Sequence, residues 1–128
     1  IENYPNVFKR ITTAKILDDD IAYLMLDMPF PFSGRDYIIQ FIKDKSETDW
    51  VFSFKAVTHV DAPPNERSVR LINAAGAWLI RPISNNETAV TYTWNGELLG
   101  DFPSWALPKA WKTQGNEIIE WLGEALNE

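Results

Sequence analysis

The spacing at which apolar residues recur changes once along this sequence, and this change constrains the fold more than any other feature. Up to Gly96, short segments of alternating apolar and polar residues are separated by turn residues, a pattern typical of antiparallel strands with one buried face. From Ser104, which is placed to cap a helix, to about Leu126, apolar residues recur three, four or seven positions apart and predict one long helix. About six strands followed by one helix predict an α+β fold, in which a curved antiparallel sheet wraps around the C-terminal helix.

The strand boundaries follow from the alternation and from the turn residues between the runs. The predicted strands are 7–17, 21–28, 35–43, 50–57, 69–83 and 88–96. The third and fourth form a hairpin, and Ala74-Ala75-Gly76 marks a bulge or bend in the fifth. A loop is predicted at 58–68, because Pro63 and Pro64 cannot donate ladder hydrogen bonds. The first five residues are also predicted to be a loop, and the 128 residues are enough for one domain with a core.

Composition excludes several classes of function. The net charge is −6, whereas nucleic acid and anionic lipid headgroups attract a basic surface, so no nucleic-acid partner is expected. The chain has no cysteine and one histidine, which argues against a thiolate nucleophile and against a metal site. No apolar run approaches the ~20 residues of a membrane-spanning helix. These features leave the compartment and the oligomeric state open.

Aromatic residues are abundant and allow two interpretations. The sequence contains six Trp, seven Phe and four Tyr, and each ring can bury about 150–250 Å². These rings can fill the core of a small sheet-and-helix domain, or they can line an apolar cavity between the concave sheet and the helix. The pattern along the sequence is the same in both cases, so it does not separate them.

Four stretches carry a family resemblance. They are DMPFPFSGRDYIIQF (27–41), THVDAPPNERSVRLINAAGAWLIRPI (58–83), ETAVTYTW (87–94) and FPSWALPKAW (102–111). In this order they resemble the StAR-related lipid-transfer (START) family. The first matches a proline-rich turn before a strand that opens with Arg-Asp-aromatic, and the second matches the pocket-covering loop and a Gly-x-Trp-x-x-x-Pro stretch. The third matches the penultimate segment, and the fourth matches the Pro-x-Trp entry to the closing helix.

The resemblance implies a helix-grip domain over residues 1–128. It implies binding of a lipid or other apolar small molecule between the sheet and the C-terminal helix, as a carrier or sensor, without cofactor, metal or catalysis. Some sterol-carrying members have a buried Arg six residues after the Arg of the Arg-Asp motif, where this chain has Phe41, so a more apolar ligand is expected. The expected cavity walls are Tyr37, Ile39, Phe41, Phe52, Phe54, Trp78, Tyr92 and Trp94 from the sheet, with Trp111, Ile118 and Leu122 from the helix.

Two alternatives from other functional classes stay open. Polyketide cyclases share the cup-shaped fold, and His59, Arg70 and Asn73 would be the polar groups of such an enzyme. No base with an orienting partner is visible in the sequence, however, and a lone loop histidine is more often structural than catalytic. The second alternative is a protein-interaction module that docks a partner on the surface of the cup.

Ligand exchange requires some part of a closed cup to move, and two loops are predicted to do so. The loop 58–68 contributes His59, Pro63 and Pro64, and the loop 96–105 contributes Gly100 and Trp105. Trp105 is expected to contact the membrane transiently during exchange. Because the chain is acidic, this contact would be hydrophobic and insensitive to anionic lipid.

The Arg35-Asp36 pair opens the third strand and is expected to have a structural role. Arg35 lies on the same face as Tyr37, so it is expected to point inward and to need a carboxylate or carbonyl partner. The family domain is longer than this chain, which is expected to match its C-terminal two-thirds. One edge of the sheet would then lack its neighbouring strand.

Overall fold

The computed structural model describes residues 1–127 and contains one sheet and one long helix. The elements are α1 (Tyr4–Val7), β1 (Ile11–Asp18), β2 (Ile21–Leu26), β3 (Arg35–Lys45), β4 (Trp50–Ala56), β5 (Val69–Arg70), β6 (Ala74–Pro82), β7 (Thr88–Gly96), a 3₁₀ turn (Ser104–Ala106) and α2 (Leu107–Leu126). The predicted α+β class, with an antiparallel sheet and a C-terminal helix, is confirmed. Within residues 1–127, no helix is long and apolar enough to cross a membrane.

The sheet has the order β1-β2-β3-β4-β6-β7, and all neighbours along this path are antiparallel. β5 pairs in parallel with the first residues of β3, where β4 has not yet begun to pair. The outermost strands are β1 and β7. The predicted hairpin of the third and fourth strands is confirmed as β3 and β4, and the strand predicted at Thr88–Gly96 has those bounds in the structure.

Three local predictions are wrong. The first strand was expected from Val7, but this residue ends the helix α1, and β1 starts at Ile11. The fifth strand was expected to continue through a bulge or bend at Ala74-Ala75-Gly76, but the chain leaves the sheet before Ala74 and the predicted strand becomes β5 and β6. Ser104 makes no side-chain capping hydrogen bond, because the chain first forms a 3₁₀ turn and α2 begins only at Leu107.

The core lies between the inner face of the sheet and α2. Ile118 is the buried residue of α2, and it belongs to the same apolar cluster as Leu24 of β2 and Tyr37 and Ile39 of β3. Phe8, which follows α1, also belongs to this cluster. The short N-terminal helix and the long C-terminal helix therefore cover the same face of the sheet.

The outer face of β3 is covered as well, and the 58–68 loop provides the cover. Asp36 points to the opposite face from Arg35 and is fully buried. It accepts hydrogen bonds from Arg70 (Nε to Oδ1, 2.8 Å) and from the Tyr23 hydroxyl (2.9 Å). Arg70 also donates to the carbonyl of Ala62 in the loop (2.8 Å). One ionic network therefore fastens the loop to the outside of the sheet.

Candidate functional site

A small cavity of about 60 Å³ lies between the inner face of the sheet and α2. Its lining is mainly aromatic and aliphatic. Eight of the eleven predicted wall residues line it, namely Tyr37, Ile39, Phe54, Trp78, Tyr92, Trp94, Trp111 and Ile118. Alternation in the strands explains the sheet residues, because every second side chain of a strand points to the same face of the sheet.

Phe41, Phe52 and Leu122 were also expected in the wall, but they do not line this cavity. Phe41 and Leu122 pack against the apolar core as half-buried residues. Phe52 stacks on Trp50, with ring centroids 6.2 Å apart. All three share a face with lining residues, and Phe41 and Phe52 even pair across strands with the lining residues Phe54 and Trp78. Alternation shows which way a side chain points, and it does not show which of the inward-facing residues reach the cavity.

The sequence analysis missed ten lining residues. They are Tyr4, Phe8, Arg10, Ile11, Leu24, Leu26, Leu98, Gln114, Glu117 and Trp121. Leu24 and Leu26 alternate within the second predicted strand, so that pattern already contained their signal. Tyr4 and Phe8 are four residues apart, which is helical spacing, but this segment was interpreted as a loop and strand start. No pattern pointed to Arg10 or Glu117.

The aromatic rings of the cavity contact one another around Trp94. Its ring centroid lies 5.9 Å from Tyr37, 5.9 Å from Phe54 and 5.7 Å from Trp111. Gly76 pairs with both Phe54 and Trp94 in the sheet. A Cβ atom at Gly76 would come within 2.5 Å of the Phe54 ring, so glycine leaves the space that this ring occupies.

Few polar groups reach the cavity, and most of those have partners. Gln114 of α2 donates to the Tyr92 hydroxyl (3.0 Å). Arg10 makes a two-pronged ion pair with Glu117 of α2, with its shortest distance, from Nε to Oε2, at 3.0 Å. Both partners are partly exposed, so this pair lies at the edge of the cavity.

The buried tyrosines are neutral at physiological pH. Burial raises the pKa of Tyr92 to about 12, although the hydrogen bond from Gln114 acts in the opposite direction. Burial also raises the pKa of Tyr37, and the nearby hydroxyls of Tyr92 and Tyr4 add to this effect. The cavity wall is therefore uncharged apart from the ion pair at its edge.

Arg35 is fully buried beside this site and holds the chain that leads into α2. Its Nε donates to the carbonyl of Leu98 (2.7 Å), and its Nη2 donates to the carbonyl of Leu99 (2.9 Å) and to Asp101 (3.0 Å). Its Nη1 donates to the carbonyl of Ser33. The expectation that Arg35 points inward and has carboxylate and carbonyl partners is confirmed, and these contacts are structural.

The backbone around Gly100 is fixed by this arrangement. Gly100 has a φ of +59°, and a Cβ atom there would lie 2.8 Å from Val69. Leu99 also adopts a positive φ of 53°, which is unusual for a residue with a side chain. Arg35 holds the carbonyls of Leu98 and Leu99 before Gly100 and the carboxylate of Asp101 after it, so a hinge for the start of α2 would have to follow Asp101. Trp105 is 83% exposed.

The proline loop is on the other side of the sheet from the cavity. His59 accepts a hydrogen bond from the backbone N–H of Asp61 (3.1 Å), and its Nε2 lies 3.7 Å from Asp18 in the first hairpin. The carbonyl of Pro63 accepts from Arg70 (3.3 Å), while Pro64 is exposed. None of the residues 58–68 lines the cavity, so the loop does not stand beside it as the sequence analysis expected.

The polar groups suggested for an enzyme are not assembled in the cavity. His59, Arg70 and Asn73 are absent from its lining. Arg70 is engaged by Asp36, and Asn73 donates to Glu97 (3.4 Å) at the surface. Within residues 1–127, no cluster of three or more His, Cys, Asp or Glu side chains could hold a metal ion.

Comparison with known proteins places this geometry in a family. The START domain family model matches residues 5–120. An uncharacterized protein of Pseudomonas aeruginosa is 30% identical over 87 residues, which are 68% of this chain and 43% of that protein. The chain thus spans less than half the length of that curated relative.

Two solved structures have the same fold at low sequence identity. A STAR-related lipid transfer protein from Xanthomonas axonopodis superposes with a TM-score of 0.86 at 19% identity, covering 99% of this chain and 73% of that chain. Human StAR-related lipid transfer protein 5 superposes with a TM-score of 0.82 at 16% identity, covering 94% and 62%. The family match over most of the chain, together with the sheet and the closing helix α2, shows that this chain belongs to the START domain family.

Proposed function

We propose that this chain binds a lipid or another apolar small molecule between the sheet and α2, as a carrier or sensor, and that it has no catalytic activity. The observation that carries the proposal is the aromatic lining of the cavity under α2, which has uncharged walls. The two structural neighbours are both lipid transfer proteins, which supports the same class of ligand.

Binding a lipid requires the cavity to expand. Ligand pockets for drug-sized molecules have volumes of about 300–1,000 Å³, whereas this cavity measures about 60 Å³. Each buried CH₂ group contributes ~0.8 kcal/mol, so an acyl chain that enters can drive the expansion by its own burial. The elements that have to move outward are the ones that close the inner face, α1 and α2.

The ion pairs across the seam between the N-terminal segment and α2 contribute little to keeping it closed. It is tied by the ion pair of Arg10 with Glu117 and by that of Lys9 with Glu124, the second of which is well exposed. Exposed pairs contribute about 0–1 kcal/mol each. Tyr4 and Phe8 lie beneath this seam and line the cavity. Outward movement of α1 would therefore release volume without disturbing the contacts of Arg35.

Transient membrane contact is proposed for the end of the domain that carries Trp105. Phe30 is 97% exposed and Trp105 is 83% exposed. They flank the contact between Phe32 and Phe102, whose ring centroids are 5.0 Å apart. Aromatic side chains favour the membrane–water boundary, because they combine an apolar ring with, in Trp, a polar N–H group. The gating roles of His59, Pro63, Pro64 and Gly100 stay hypotheses, and their positions support them less than that of Trp105.

A dye-displacement experiment tests the cavity. An environment-sensitive apolar dye should bind the protein and be displaced by a long-chain lipid. Phe54→Asp should abolish binding, because a carboxylate in a small apolar cavity must stay protonated or draw in water. Phe52→Asp is the matched control, since it adds the same charge on the same strand and face but outside the cavity. Unchanged dye affinity in folded Phe54→Asp protein would refute the cavity assignment.

Native mass spectrometry separates this proposal from its alternatives. A lipid that co-purifies with the chain favours a carrier or sensor. A chain without lipid but in a stable complex with a protein favours an interaction module. A chain with neither favours an enzyme that lacks its substrate, and it would direct attention back to the polar groups outside the cavity.

A further inference from the structure

One buried polar atom of a residue that lines the cavity has no partner. The indole Nε1 of Trp94 is buried and makes no hydrogen bond within residues 1–127. Trp94 lines the cavity from β7. Buried polar groups in proteins are hydrogen-bonded in the large majority of cases, so an exception calls for a functional explanation.

The neighbours of Trp94 explain why the protein itself supplies no acceptor. Its ring is surrounded by those of Tyr37, Phe54 and Trp111, at centroid distances of 5.7 to 5.9 Å. Two polar side chains of the lining have partners of their own, since Gln114 binds Tyr92 and Glu117 binds Arg10. Trp94 thus carries a free donor among aromatic rings.

The chemistry of the indole defines what can complete the site. The indole N–H group only donates, so its partner must contribute an acceptor. A negatively charged acceptor would need a cation beside it, since burial of an unpaired charge is strongly unfavourable. The cationic residue of the lining is Arg10, which Glu117 already neutralises at the edge of the cavity. An uncharged oxygen, as in a ketone or an ester, meets both conditions.

We propose that Trp94 donates a hydrogen bond to an uncharged oxygen acceptor of the bound apolar molecule. The cavity then selects ketones or esters over hydrocarbons of equal size, and over carboxylates. This inference rests on the proposed function, because it concerns the ligand of the same cavity. It adds a polar requirement that an aromatic lining alone would not impose.

Nuclear magnetic resonance of the ¹⁵N-labelled protein tests the hydrogen bond directly. The six tryptophans give separate indole signals, and the Trp94 signal is identified by its absence in Trp94→Phe. The probes are 2-undecanone and n-dodecane, which have the same number of heavy atoms, and undecanoate as the charged analogue. With 2-undecanone the Trp94 indole proton should shift downfield and exchange more slowly with water. With n-dodecane neither change is expected.

Affinities of the variants give a second, independent measurement. Trp94→Phe keeps an aromatic ring but removes the donor, so its affinity for 2-undecanone should fall about tenfold while that for n-dodecane stays the same. Trp111→Phe is the matched control, because it removes an indole from the same cavity and should affect both probes alike. Should Trp94→Phe fail to fold, the signals of the unmodified protein still decide the question.

The possible outcomes separate the inference from the proposed function. Binding of both uncharged probes with equal affinity and with no downfield shift of Trp94 would overturn the inference and leave an apolar cavity intact. Tightest binding of undecanoate would overturn the requirement for an uncharged acceptor. Binding of none of the probes would refute the proposed function, and the inference with it.

Discussion

Replacement of Arg35 by methionine gives the sharpest test of how this domain is held together. Arg35 is fully buried and donates to the carbonyls of Leu98, Leu99 and Ser33 and to the carboxylate of Asp101. Methionine fills part of the space but donates no hydrogen bond. The carbonyl of Leu98, a residue that is itself buried, is then left without a partner.

The expected loss follows from the environments of these acceptors. A buried acceptor without a partner costs about 1–3 kcal/mol, and this applies fully to Leu98 and in part to Leu99. Ser33 and Asp101 are exposed enough for water to replace the guanidinium. Methionine also leaves some of the volume of Arg35 empty. We therefore expect Arg35→Met to lower the free energy of unfolding by about 3–5 kcal/mol.

Urea unfolding, followed by tryptophan fluorescence and far-ultraviolet circular dichroism, measures this loss. The denaturant dependence should keep its slope while the midpoint falls, if the variant keeps the same fold. Arg81→Met is the comparison, because it removes an arginine from an ion pair with Asp49 in which Arg81 is exposed, and its effect should be small. A loss below ~1 kcal/mol for Arg35→Met, or an equal loss for Arg81→Met, would contradict the importance of the buried and paired guanidinium of Arg35.

Two further predictions concern exchange and acid stability. Trp105→Ala should slow lipid transfer between neutral vesicles on the order of tenfold, the factor that ~1.4 kcal/mol of lost interfacial contact produces. The equilibrium affinity for the lipid should stay unchanged. A transfer rate that is unchanged, or that falls only in proportion to affinity, would locate the membrane contact elsewhere. Burial raises the pKa of Asp36, but hydrogen bonds from Arg70 and Tyr23 outweigh this and leave it below its ordinary value. Its contribution to stability is therefore complete above about pH 4 and is lost as the pH falls through the lower folded-state pKa. Asp36→Asn should be less stable at neutral pH and lose less on acidification, and parallel pH profiles of the two proteins would contradict this.

Local physics made much of the fold predictable from the sequence. The alternation in Thr88–Gly96 reports a strand with one buried face, because side chains of a strand point to opposite sides in turn. The long amphipathic segment that follows reports a helix for the same kind of reason. The inward orientation of Arg35 also followed from alternation, and burial of its charge then required partners. Each of these inferences depends on residues close together in the chain.

The candidate site required the tertiary structure, because it depends on where distant segments meet. Phe52 and Phe54 have the same alternation, yet only Phe54 lines the cavity. The proline loop runs over the outer face because Arg70 and Asp36, which are far apart in sequence, form an ion pair there. The unpartnered indole N–H of Trp94 could not be predicted either, since it results from three rings on β3, β4 and α2 that enclose it. Sequence periodicity therefore determined which residues face inward, and only the packing of helix on sheet decided which of them share a cavity.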